Sequence, residues 1–243
     1  MAIKKLKAPS LIHVARLYRP TAEQVKKEIL KLAKAAPPFS YEDLYELMWD
    51  RAHVGVPSEQ IERSIASIRQ KIKRDSYQRA FAIADKFFDN LNRSFEMRIE
   101  PRSYSIGRDL RVPFAPPMIC GGGSSGPVIP WLLFWKQNPL TDEQTSLFMS
   151  MAQATIEEEP ELDGASLLLV DTSLKALDDA GKARVTSALE VERIPDRRLK
   201  EMLEVFATGF HMAQAEWQAS APVHKEARRS LEIDESQQDM FDR

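Results

Sequence analysis

The clearest chemistry lies at the end of the sequence, in Gln237, Gln238, Asp239, Met240, Phe241, Asp242 and Arg243. The preceding stretch, Ser230 to Ser236, is polar and acidic and carries no helical stripe. Residues 220–243 therefore read as a disordered tail. A Met240–Phe241 pair on such a tail suits a short linear anchor. Two apolar side chains fill a partner's pocket, and Gln237 hydrogen-bonds its rim. A tail that docks back on its own domain is the plainer alternative. The same spacing recurs at Gln144-Thr145-Ser146-Leu147-Phe148. Those residues fall in a stretch, 141–158, that reads as a capped amphipathic helix, with Leu147, Phe148 and Met151 on its core face.

Other reactive residue types do not assemble into a catalytic pattern. Cys120 adjoins the glycine-rich run 121–126, which lacks the Lys-Ser/Thr of a phosphate-cradling loop. It would need a base, and His13, His53, His211 and His224 have no spacing that supplies one. No His/Cys cluster has zinc-ligand spacing. The Glu157-Glu158-Glu159 run precedes Pro160 and reads as a solvated helix end, and Asp178-Asp179 is an isolated pair. Asp171, at the end of an apolar run, is the one carboxylate placed as a sheet-mounted metal ligand would be, and it stands alone. The expectation is a non-enzyme with no cofactor and no metal.

The two peptides resemble the Gln-x-Asp/Ser-Leu/Met-Phe motif by which bacterial polymerases, mismatch-repair proteins and clamp loaders dock on the replication sliding clamp, DnaN. Gln237, Asp239, Met240 and Phe241 match its informative positions, as do Gln144, Ser146, Leu147 and Phe148. Gln238 departs from the commonly aliphatic second position. The resemblance covers five residues in each case. It implies that Gln237 bonds the groove rim while Met240 and Phe241 fill the pocket, with Gln144, Leu147 and Phe148 in the same parts if the internal copy is used. A clamp ligand without catalytic machinery is similar to the SocB type of replication-inhibiting toxin. That likeness implies competition with polymerase, an antitoxin partner (SocA) and delivery to the ClpXP protease. Two exposed peptides would also engage both subunits of a dimeric clamp and add avidity. A clamp-tethered repair or replication accessory, and a helical regulator with no clamp link, are the rival readings.

The 243 residues suffice for a sizeable core. A single cysteine excludes an internal disulfide framework and fits a reducing cytoplasm. No apolar run is long enough to span a membrane, and the basic start lacks a signal-peptide apolar region. The net charge of −2 hides an asymmetry: residues 1–111 carry 22 Lys/Arg against 14 Asp/Glu, and the remainder 12 against 22. The halves either serve different partners or attract one another.

The expected elements are a basic arm (1–20) with at most a short helix, a helical bundle (21–98), an α+β unit with a mixed or antiparallel sheet (99–219) and the tail (220–243). Thr21-Ala22-Glu23-Gln24 opens a helix that runs to Ala36, before Pro37-Pro38, with Lys26, Lys27, Lys31 and Lys34 off its apolar face. Ser40 caps a second helix, and Ser58 a third over 58–74 with Ile61, Ile65, Ile68 and Ile72 as its stripe. That third helix offers Arg63, Arg69, Lys71, Lys73 and Arg74 to solvent. The pair superficially resembles a helix-turn-helix and leaves contact with nucleic acid open, although Glu59 and Glu62 sit where the reading helix would begin. Strands are expected within 104–112, 128–135, 165–170 and 185–194, and a long helix from Asp196 to about Ala219.

Overall fold

A computed structural model describes residues 5–35, 39–91, 93–107, 109–121, 126–178 and 181–219. The class is α+β, around a mixed five-stranded sheet ordered β1-β4-β5-β6-β7. Its strands are β1 (Phe95–Met97), β4 (Ile119–Gly121), β5 (Val128–Leu133), β6 (Ser166–Asp171) and β7 (Arg184–Ser187). Only β5 and β6 run parallel; the other neighbours are antiparallel. β2 (Arg102–Ile106) and β3 (Leu110–Phe114) form a separate hairpin, turned at Gly107 with φ 62°. Only glycine takes that conformation without strain. Pro130 sits inside β5, two residues after Val128, the only one of the described residues of β5 that pairs with β4. A proline, which has no N–H to donate, is accommodated where a strand's edge is left unpaired.

The strands alternate between two hydrophobic cores. Ile129, Trp131 and Leu133 of β5, with Leu167 and Leu169 of β6, enter one core. Leu132, Phe134 and Val170 enter the other. The first core is covered by α1 (Leu11–Leu17), α2 (Ala22–Lys34), α6 (Asp142–Glu157), α7 (Asp196–Ala219) and the hairpin. There Trp131 stacks on Phe114 at 5.6 Å and meets the edge of Phe148 at 5.1 Å. The second is covered by α3 (Glu42–Trp49), α4 (Ser58–Ala66) and α5 (Lys71–Asn90).

The chain-order division into arm, bundle and α+β unit therefore gives way to a division by sheet face. Residues 11–18 are no arm: Leu11, Val14, Ala15, Leu17 and Tyr18 are all buried. α2 leaves the other early helices and lies along α7. Their close approach is set by Gly209, where a Cβ would fall 2.6 Å from Val25 Cβ and 2.7 Å from the Ala22 carbonyl. The oppositely charged halves meet across such contacts, as in Lys26–Glu216 at 3.4 Å and Arg102–Glu161 at 2.8 Å.

Local expectations hold in part. Thr21 accepts from Gln24 N, and Thr141 and Gln144 form a full capping box. The helix expected over 58–74 is two helices. α4 ends at Ala66, α5 starts at Lys71, and Arg74 donates to the Ile68 carbonyl across the break. Ile61 and Ile65 are buried, whereas Ile72, beyond the break, is 63% exposed. Ser58 does not cap α4. Its hydroxyl donates to Asp85 (2.7 Å) and accepts from Arg51 (2.9 Å), tying the π-helical turn Asp50–Val54 to α5. The strand expected over 185–194 shrinks to β7, because Leu189, 78% exposed, has no core to enter. No helix among the described residues is long and apolar enough to cross a membrane.

Candidate functional site

The two clamp-type peptides have different fates. Gln237, Asp239, Met240 and Phe241 lie outside the described residues. The internal copy forms the first turns of α6. Gln144 is 7% exposed, and Leu147 and Phe148 are fully buried. Gln144 Oε1 accepts from Thr141 N at 3.0 Å, while Nε2 donates to the carbonyls of Arg16 (3.0 Å) and Tyr18 (3.3 Å). Its amide thus joins the start of α6 to the end of α1. Of this copy only Thr145 and Ser146 are partly accessible. A groove could take Gln144, Leu147 and Phe148 only after α6 had left the core.

Ser146 borders a cavity of about 460 Å³, lined by both polar and apolar side chains, at the carboxyl ends of β5 and β6. The topology dictates its position. After the parallel pair ends, the chain turns away on both strands, and a crevice opens between the β5–α6 and β6–β7 connections. Asp171, the last residue of β6, falls on the α6 face with Leu169 and is 5% exposed. Its carboxylate accepts from Asn138 Nδ2 (2.8 Å) and Ser173 N (2.9 Å). Arg184 of β7 stands directly opposite in the register, yet forms no ion pair with it. Lys175 borders the cavity from the β6–β7 connection. Neither cation has a side-chain partner among the described residues. The Ser173 hydroxyl is buried with no hydrogen-bond partner among the described residues. Asn138, Ser173, Lys175 and Arg184 escape sequence reading, since their meeting depends on the β6–β7 register. Asp171 at a strand end is the only local signal.

The remaining candidates are accounted for by their surroundings. Cys120 lies within β4, fully buried, and burial pushes its thiol up to about 11. His13 is held down to about 4, first by burial and then by the Arg16 charge. It contacts the Ser10 hydroxyl at 3.0 Å and the edge of Trp135. His53 stacks on Trp49 at 4.5 Å, His211 meets the edge of Phe210, and His224 lies outside the described residues, as does Asp179. Glu157 and Glu159 pair with Arg193 and Arg102. Among the described residues no group of three or more His, Cys, Asp or Glu side chains is placed to hold a metal ion.

The would-be DNA-reading face is partly neutralised, with Lys71 bound to Asp75 and Lys73 to Asp43. On α2, Lys26 pairs with Glu23 and Glu216, whereas Lys27, Lys31 and Lys34 are exposed with no partner among the described residues.

Comparison with protein-family profiles, with curated proteins and with solved structures finds no match. What the fold itself defines is an α+β protein with a mixed sheet sandwiched between two helical layers.

Proposed function

We propose that this protein binds the bacterial sliding clamp DnaN through Gln237–Phe241, competes with polymerase for the groove and so inhibits replication elongation. One observation carries the reading: the Gln-x-Asp-Met-Phe peptide stands beyond the last described helix, while its internal twin is consumed by the core. A single peptide per chain then sets the affinity, without avidity from a second copy on the same chain. In a toxin of this kind, the antitoxin SocA and the ClpXP protease are the further partners.

Pull-down with purified clamp tests the anchor. Gln237→Ala with Phe241→Ala abolishes retention, and Ser146→Ala leaves it intact. In cells, overexpression stops DNA synthesis and the double variant relieves the block. Failure of the intact protein to retain the clamp overturns the proposal.

The stripe Lys27, Lys31 and Lys34, unpaired among the described residues, favours a second reading, a clamp-tethered accessory that touches DNA. It requires DNA affinity that falls steeply with salt and is weakened by charge removal on α2.

A further inference from the structure

We propose that the cavity at the carboxyl end of β5 and β6 is a binding site for a hydroxyl-bearing phosphate ester of the sugar-phosphate class. This goes beyond the clamp reading and does not depend on it. The volume, about 460 Å³, falls in the range of small-molecule sites, and the position is where open sheets with parallel strands bind ligands.

The side chains set the chemistry. Lys175 and Arg184 bring two positive charges to the cavity, with no partner among the described residues, while Asp142 and Asp171 are its two carboxylates. Arg184 is the more telling. It faces Asp171 across the β6–β7 ladder, where a cross-strand ion pair would ordinarily form. That carboxylate is instead held by Asn138 and by the Ser173 amide, which leaves the guanidinium available for another anion. Guanidinium and ammonium groups together suit a phosphate.

A bare phosphate does not account for the opposite side. Asp171, itself only 5% exposed, can accept further hydrogen bonds but cannot donate any. It therefore calls for ligand hydroxyls. The Ser173 hydroxyl, 1% exposed and unpartnered, is a second polar group awaiting a bond. Among the described residues no aromatic side chain lines the cavity, so none of them provides a stacking platform for a nucleobase. A divalent cation is disfavoured by the two positive side chains. The combination of acceptor floor, cationic wall and absent stacking surface selects a phosphorylated sugar.

The test is calorimetric titration of the full-length protein with ribose 5-phosphate, ribose, inorganic phosphate and adenosine monophosphate. Ribose 5-phosphate is expected to bind saturably, about tenfold or more tighter than ribose or phosphate alone. Lys175→Ala and Arg184→Ala, both exposed and safe for folding, each weaken it about tenfold, as loss of a charge-assisted bond does. Lys31→Ala, far along α2, leaves it unchanged. Asp171→Asn weakens ribose 5-phosphate while leaving or raising phosphate affinity, a split that loss of structure alone does not produce. No saturable binding of ribose 5-phosphate overturns the site. Equal binding of inorganic phosphate, tighter binding of adenosine monophosphate, or equal losses in Lys31→Ala each overturn the assigned class.

Discussion

Replacing Gln144 with alanine separates a structural glutamine from a recognition glutamine. The side chain makes one bond to the N-cap amide of Thr141 and two to the carbonyls of Arg16 and Tyr18. Loss of the cap costs about 1 kcal/mol. The two carbonyls are not orphaned, because Arg19 also donates to both, at 3.0 and 2.7 Å. Their share is thus the net worth of two bonds, about 1 kcal/mol each, rather than the larger penalty of buried unsatisfied acceptors. The sum is about 2–3 kcal/mol, which for a chain of this size lowers the melting temperature by about 5–10 °C. Gln144→Glu sharpens the result. Its carboxylate still accepts from Thr141 but cannot donate to either carbonyl and sets a buried charge against both, so it is no more stable than Gln144→Ala. Urea unfolding and thermal melts read the stability, and clamp pull-down at a temperature where the variants remain folded reads recognition. The reasoning is refuted if Gln144→Ala unfolds like the native protein, or if folded Gln144→Ala loses the clamp.

Three further outcomes follow from the packing. Gly209→Ala gains about 1 kcal/mol of helix propensity but drives a methyl into Val25 and the Ala22 carbonyl, so α2 and α7 must part. A net loss of about 1–3 kcal/mol in a denaturant titration is expected, and a stabilised variant contradicts the close approach. Arg79→Met removes guanidinium bonds to the carbonyls of Thr172 (2.6 Å) and Phe134 (3.0 Å) beyond the ends of β6 and β5, for a loss of about 2–4 kcal/mol; an unchanged unfolding midpoint would argue against that clamp. His13, lowered from 6.5 to about 4, binds its proton more readily in the unfolded chain. Stability is therefore fully present above about pH 6.5 and falls as pH drops toward about 4, by about 3 kcal/mol at most. The pH slope of the unfolding midpoint should flatten in His13→Asn, and an unaltered slope would dismiss His13 as its source.

Local pattern foretold several elements because their causes are local. The capping residues Thr21 and Thr141, the period of Val25 and Ile29, and the apolar run ending at Asp171 each act within a turn or two of chain. The short helix allowed between Pro9 and Pro20 is α1, but its burial was not legible, because seven helical residues present too few turns for a clear stripe. The continuous isoleucine stripe from Ile61 to Ile72 concealed the break at Ser67–Gln70, since spacing alone does not show where the burying surface ends.

By itself the amino-acid sequence determined the fold class, most helix starts, and two peptides of one chemical kind. The tertiary structure decided that the internal one belongs to the core. Gln144, Leu147 and Phe148 carry the same groups as Gln237, Met240 and Phe241, but α1 and the sheet close over them. Burial depends on which elements meet, and that is set by contacts far apart in sequence. The same holds for the cavity, where Asp171 meets Arg184 only through the β6–β7 register and stays unpaired with it because Asn138 and Ser173 reach the carboxylate instead.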